Sequence, residues 1–322
     1  MRALSSPNAL KGVLTAQAAA AALARGLRSA GVEAEELPVA DGGDGTADVL
    51  AGVLGGEWHT ARVSDPLGRP VDARWLVLPE RVAVVESAEA IGLKLLAEGE
   101  LDPLRASSRG FGELILAALS GGAAELILCL GGVATVDGGA GLREVVDSFP
   151  VPTRVARDVV APLLGPRGAA YAYGPQKGAT RDQVVELEAR LAAMPDLEPY
   201  ASLAGAGAAG GLGAACAALG AQLVDGGELV LDALDFDARI RDVDLVVTGE
   251  GTVDATTAEG KAPAAVVRAC RRAGVRCVAF GGRVVEQLDG VPTYALSGRP
   301  EAAEEDLVAL GAALGGALVG LA

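Results

Sequence analysis

The chain has 322 residues, 51% of them hydrophobic, with 45 glycines, 3% aromatics and a formal charge of −15. That length and apolar content suffice for a two-lobed fold cored by Val, Leu and Ala, and exclude a disordered chain. The acidic surplus, with no face that collects lysine and arginine, excludes nucleic acid as a partner, since such binding rests on cationic contacts to phosphate.

The segment Met1 to Leu4 breaks at Ser5-Ser6-Pro7 and has no hydrophobic signal core. Ala16 to Ala30 reads as a helix, Glu33 to Val39 as a strand and Thr46 to Leu54 as another helix. Two alternating stretches between Arg62 and Pro79 flank Asp65-Pro66-Leu67-Gly68-Arg69-Pro70, which predicts a hairpin, and Val82 to Glu86 follows as a strand. Ser107 to Leu119 reads as a helix and Glu125 to Leu130 as a buried strand. Further on come strand Asp244 to Thr248, helix Ala262 to Ala273 and strand Arg276 to Phe280. The uncharged stretch Leu307 to Ala322 has 16 residues, too short to span a bilayer, and reads as a packed helix. A cytoplasmic protein with no membrane partner is expected. The four cysteines lack a CxxC spacing and read as buried thiols.

Alternation of strands and helices predicts parallel sheets covered by helices, and the hairpin marks a second lobe of different make-up. The expectation is an α/β protein of two lobes. A parallel-sheet, flavodoxin- or Rossmann-like lobe is built from residues 1–56 and 201–322. An inserted second α/β lobe, residues 57–200, contains the hairpin.

In parallel sheets, ligands bind beyond the carboxyl ends of strands. Four glycine-rich segments fall at such places or open a helix: Asp41 to Thr46, Gly131 to Gly141, Gly205 to Gly213 and Thr248 to Asp254. Glycine lets backbone N–H groups approach a phosphate, so together they predict a shared anion site. Gly205, Gly207 and Gly210 also match the dinucleotide pattern GxGxxG, but no convincing strand precedes them; a nicotinamide-dependent oxidoreductase is the lesser alternative. No Walker A loop is present. Of 27 basic residues only Lys11, Lys94, Lys177 and Lys261 are lysines, and all but Lys94 adjoin a glycine. A compact ammonium suits phosphate as a point charge, so these three are candidate anion contacts, while Lys94 reads as a solvated side chain. With His59 the only histidine and no nucleophile signature beside it, proton transfer falls to carboxylates.

At this point the sequence resembles the type-1 bacterial glycerate kinases along nearly its whole length. The resemblance rests on Pro7-Asn8-Ala9-Leu10-Lys11-Gly12, on Pro38 to Thr46, on Asp65 to Val71 and on Glu86 to Leu93. It continues through Gly174-Pro175-Gln176-Lys177-Gly178-Ala179, Gly205 to Gly213, and Thr248 through Asp254 to Gly260-Lys261-Ala262-Pro263. It implies ATP, Mg2+, D-glycerate and a phosphoglycerate product, the 2-isomer ahead of the 3-isomer, in a monomer or homodimer. The chain departs from that pattern at Asn8, Val133, Val136, Thr252, Thr256 and Gly282, and between Gly141 and Asp158 it is shorter by several tens of residues. A catalytically weakened relative that binds ligand without turnover is therefore the second alternative.

For phosphoryl transfer, Asp137 is the expected base, with Gly138, Gly139 and the amides up to Gly141 holding the transferred oxygens. Glu250 and Asp254 are expected to hold magnesium, and Asp41 and Asp44 to orient metal-bound water or glycerate hydroxyls. Lys11, Lys177 and Lys261 are expected to meet the glycerate carboxylate and nucleotide phosphates, with Gly207, Gly210 and Gly211 lining the nucleotide.

Overall fold

The computed structural model describes residues 1–288 and 290–320. In chain order its elements begin with β1 (Arg2–Pro7), α1 (Ala16–Ser29), β2 (Glu33–Glu36), α2 (Thr46–Leu54), β3 (Glu57–Ser64) and β4 (Pro70–Leu78). Next come β5 (Val82–Glu86), α3 (Ser87–Ile91), α4 (Arg109–Ser120), β6 (Glu125–Leu130), α5 (Ala140–Arg143), β7 (Thr153–Arg157) and α6 (Ala169–Tyr173). Then follow α7 (Arg181–Ala192), α8 (Ala208–Ala218), β8 (Gln222–Asp225), α9 (Gly226–Ala233), α10 (Phe236–Arg239) and β9 (Leu245–Val253). The last are α11 (Ala262–Ala273), β10 (Cys277–Val284), β11 (Thr293–Ala295) and α12 (Ala303–Val319). The chain forms two compact units, Met1–Asp41 with Gly227 onward, and Gly42–Gly226. As expected, the class is α/β with parallel strands in both units.

The first unit holds a five-stranded sheet in the order β11-β10-β9-β1-β2, with every pairing parallel. Ser5, Ser6 and Pro7 do not break the chain as their composition suggested; they complete β1, which lies between β9 and β2. The buried Ser5 hydroxyl donates to the Ala20 carbonyl at 2.9 Å, which removes the penalty of placing it in a core strand. Pro7 is the last residue of β1, a position that strands tolerate. Both β9 and β10 run past their expected ends, to Val253 and Val284, so that Glu250 lies within a strand. Thr15 caps α1 by accepting from the Ala18 N–H at 3.1 Å. α1 and α12 pack so closely that a Cβ on Gly26 would lie 2.1 Å from the Val308 carbonyl oxygen, and one on Gly311 2.3 Å from that of Leu23. Leu23, Leu27 and Leu307 are fully buried there, each contributing roughly 1.5–3 kcal/mol.

The second unit holds a six-stranded sheet, β3-β4-β5-β6-β7-β8. β3, β4 and β5 pair antiparallel, and β5 through β8 parallel. In the hairpin turn Asp65 accepts from the N–H groups of Leu67 and Arg69 at 2.8 and 2.9 Å, and its other oxygen from Arg69 Nε at 2.6 Å. Phe111, Leu114 and Ile115 of α4 pack with Leu126 and Leu128 of β6 and Leu212 of α8 in one core. This unit begins before residue 57 and ends after 200, because α2 packs on β4 and β5, β8 joins the second sheet and α8 packs on β6, β7 and β8. Among the described residues no helix is long and apolar enough to cross a membrane.

Candidate active site

In the first unit the parallel strands bring their carboxyl ends to one edge. β1 leads into Asn8 and Lys11, the turn after β2 leads to Asp41, and β9 carries Glu250. Asn8 is drawn against β9 by its N–H, which donates to the Gly249 carbonyl at 2.8 Å. Glu250 is buried; its Oε1 accepts from the Thr257 hydroxyl at 2.7 Å, and its Oε2 lies 3.6 Å from Lys261 Nζ. Burial pushes its carboxyl above the usual range and Asp41 adds to this, while Lys261, Thr257 and Lys11 oppose it. Asp41 is buried too, and its Oδ2 accepts from the Asn8 amide at 3.2 Å. Asp254 caps the turn that follows β9: its Oδ1 accepts from the Thr256 hydroxyl at 2.6 Å and N–H at 2.9 Å, and the hydroxyl bond chiefly holds its carboxyl low. The structure thus brings Lys11, Asp41, Glu250, Asp254 and Lys261 to one sheet edge, with two lysines beside two buried carboxylates.

In the second unit Lys177 is buried, and its ammonium donates to the Thr135 carbonyl at 2.7 Å. Burial depresses it to about 7, against a smaller upward pull from Asp137. It borders a small cavity of ≈ 90 Å³, along with Gly131, Gly132, Asp158, Tyr173 and Gln176. Asp137 begins the turn into α5. Its Oδ2 accepts from the Ser108 N–H at 2.8 Å, the Ser108 hydroxyl at 2.7 Å and the Gly141 N–H at 3.1 Å, and its Oδ1 from the Gly139 N–H at 3.1 Å. The Gly138 N–H donates to the Gly210 carbonyl and the Ala140 N–H to the Asp137 carbonyl, both at 3.0 Å. The amides expected to hold phosphoryl oxygens are therefore already committed to protein acceptors.

Three glycines of the third segment, Gly207, Gly210 and Gly211, are packed against backbone. A Cβ on Gly207 would lie 2.2 Å from the Pro162 carbonyl oxygen, one on Gly210 2.0 Å from that of Thr135, and one on Gly211 2.8 Å from Gly138 Cα. They let two loops meet rather than leaving an open cradle, and a 3-10 turn, not a strand, precedes them.

Asp44 lies in the second unit with Glu86 and Glu89, their oxygens within 4.8 Å of one another. Lys94, read from the sequence as solvated, is about half exposed and also pairs with two members of this group, 3.1 Å from Asp44 and 2.9 Å from Glu89. Sequence reasoning gave no role to Glu86, which is buried, accepts from the Ala47 N–H at 2.7 Å and is pushed up to about 7 by burial. It also missed Thr257, although the spacing Asp254-x-x-Thr257 is that of a reciprocal cap and could have drawn attention to it. His59 stacks on Trp75 with ring centroids 5.2 Å apart, away from these groups in sequence and in role.

Comparison with known proteins adds to this geometry. The glycerate kinase family profile matches residues 3–148 and 145–305. A glycerate kinase of Halalkalibacterium halodurans is 38% identical over 89% of this chain and 86% of its own length. The glycerate 2-kinase of Escherichia coli is 34% identical, covering 92% of this chain and 89% of its own. The crystal structure of the "putative glycerate kinase 2" from Salmonella typhimurium LT2 superposes with a TM-score of 0.85 at 31% identity, covering 99% of this chain and 98% of that one. With its two α/β units, its lysine–carboxylate edge and these matches along nearly its full length, the chain belongs to the glycerate kinase family.

Proposed function

We propose that the chain transfers the terminal phosphoryl group of ATP, as its magnesium complex, to the 2-hydroxyl of D-glycerate. The observation that carries this reading is the pairing of buried carboxylates with lysines at the carboxyl edge of the first unit's sheet. Phosphoryl transfer asks a protein mainly for positioning and charge neutralisation. Lys11 and Lys261 serve as point charges for phosphate oxygens. Glu250 and Asp254 offer the hard oxygen donors that magnesium prefers, and a carboxylate raised by burial beside Asp41 gains from a nearby dication. When bound, the metal neutralises charge on the phosphates. Asp41, pinned by Asn8, orients a hydroxyl or a water ligand.

In the second unit the cavity beside Lys177 is the size of a three-carbon acid, and the ammonium there takes the glycerate carboxylate. Asp137 accepts the hydroxyl proton through Oδ1, which takes one hydrogen bond where Oδ2 takes three. The proton leaves as the new oxygen–phosphorus bond forms and the bridging bond to ADP breaks. The name of the E. coli relative supports the 2-position. The nicotinamide alternative finds no support, since Gly207 and Gly210 of the GxGxxG pattern pack against backbone and Gly205 against the Arg157 side chain.

A coupled assay with ATP, magnesium and a panel of small hydroxy acids tests the reading, with the product isomer identified by NMR. ADP formation that depends on D-glycerate and on magnesium, with 2-phosphoglycerate as product, is expected. Absence of glycerate-dependent ADP release at any metal concentration would overturn it.

A further inference from the structure

The first unit holds a second feature at the same sheet edge, a cavity of ≈ 420 Å³. That volume lies in the range of drug-sized ligand sites, roughly 300–1,000 Å³, and far exceeds what a three-carbon acid fills. Its wall is mostly apolar, with Leu10 and Val13 from the loop after β1, Val284 at the end of β10, and Leu296 and Pro300 beyond β11. Val13 is 38% exposed, so a broad apolar shelf faces outward. Two guanidiniums, Arg283 and Arg299, also line it, and neither forms an ion pair among the described residues. In a chain of net charge −15, unpaired arginines beside an apolar shelf select a ligand that is itself anionic. A carboxylate completes the wall. Asp306 Oδ2 accepts from the Ser297 hydroxyl at 2.6 Å and N–H at 3.0 Å, which fixes the group and leaves Oδ1 to accept from a ligand hydroxyl. The cavity lies beside the lysine–carboxylate edge, since its lining residues Leu10 and Gly251 are the chain neighbours of Lys11 and Glu250. A Cβ on Gly251 would lie 3.5 Å from Lys11 N, so those two loops touch.

We propose that this cavity is the adenosine seat of the phosphoryl donor. The purine lies on the Leu10–Val13–Val284–Leu296 shelf, Asp306 accepts from a ribose hydroxyl, and the phosphates run toward Lys11 and Lys261. The inference rests on the reading of the chain as an ATP-dependent kinase, and it places the nucleotide in the first unit, not along the glycines of the third segment.

Binding of a fluorescent adenine nucleotide, mant-ADP with magnesium, tests the seat without turnover. Ala295, exposed at the cavity wall, is replaced by Trp to fill the seat, and Arg299, also exposed, by Glu in a second variant. Each is expected to weaken mant-ADP binding at least tenfold and to raise KM for ATP by a similar factor, with KM for glycerate within about twofold. Cross-linking with 8-azido-ATP is expected to label peptides spanning 282–303. Nucleotide affinity equal to wild type in both variants, or labelling confined to 131–141 and 205–213, overturns the seat while the kinase reading stands. Wild type that binds mant-ADP, with both variants weakened, but phosphorylates no hydroxy acid overturns the kinase reading and supports the seat. Wild type that binds no adenine nucleotide overturns both.

Discussion

Lys177 is a lysine whose charge the fold makes conditional. Its folded value of about 7 lies below the ordinary 10.5, so between those values the unfolded chain holds more protons than the folded one. Stability therefore rises with pH across that window, and at lower pH folding carries the penalty of a buried charge. An anionic ligand reverses the preference by favouring the ammonium. KM for glycerate should therefore climb above pH 7, by about tenfold per unit once the lysine is deprotonated. Lys177→Met should raise KM at pH 6.5, flatten its pH profile and leave the thermal midpoint unchanged or higher. A parallel pH profile in the variant would remove Lys177 from acceptor binding. Asp137 asks for a paired test, since four donors converge on it. Asp137→Asn puts an amide N–H2 against one of those donors, which costs roughly 1–3 kcal/mol, and removes the base as well, lowering turnover by roughly 10²–10⁴-fold. Ser108→Ala deletes one donor and keeps the carboxylate, so it should lower the melting temperature with turnover within a few-fold. Equal losses of turnover in the two variants would show Asp137 to be a loop anchor and nothing more.

Among the elements, the α1–α12 contact is one that glycine decides. Gly26→Ala would place a methyl carbon 2.1 Å from a carbonyl oxygen on α12, so the helices must separate. Backbone cannot yield as a side-chain tip does, and a loss of roughly 1–3 kcal/mol in urea unfolding is expected, with the m-value unchanged. Glu86 couples the end of β5 to the first turn of α2 through the Ala47 N–H. Folded, it keeps its proton to about 7, whereas the unfolded chain loses it near 4.5. Its contribution is therefore complete below pH 4.5 and is lost as pH rises through 7. Glu86→Gln keeps the acceptor and removes the charge. Its melting temperature should exceed that of wild type at pH 8 and converge with it at pH 4.5; superimposable curves would show that the carboxylate is not held protonated.

At the scale of the whole molecule, the continuous segment Gly42–Gly226 has its own sheet and its own core, from Val63 to Cys216. The first unit is assembled from two stretches, and its core joins Leu23 and Leu27 to Leu307 and Leu318. We propose that the second unit is an insertion that folds autonomously. Expressed alone, residues 42–226 should give a cooperative thermal transition and native-like circular dichroism, whereas residues 227–320 alone should not. A non-cooperative 42–226 fragment would count against an insertion architecture.

By itself the sequence determined the α/β class, the helices at 46–54 and 262–273, the strands at 82–86 and 125–130, and the clustering of glycine with acid after strands. These depend on local periodicity and turn chemistry, which neighbours in sequence suffice to express. It did not determine β1, because Ser5, Ser6 and Pro7 become strand residues only once α1 accepts a buried hydroxyl and β9 pairs alongside. Nor did it tell apart glycines that cradle a ligand from glycines that let two loops touch; Gly210 belongs to the second kind because Thr135, distant in sequence, lies against it. Desolvation is likewise a property of packing. The glycine beside Lys177 set it apart from Lys94 in sequence, but did not show that Lys94 bridges two carboxylates while Lys177 is stripped of water. Composition can nominate such a residue, but only the tertiary surroundings, which set the dielectric and the nearest charges, decide what it can do.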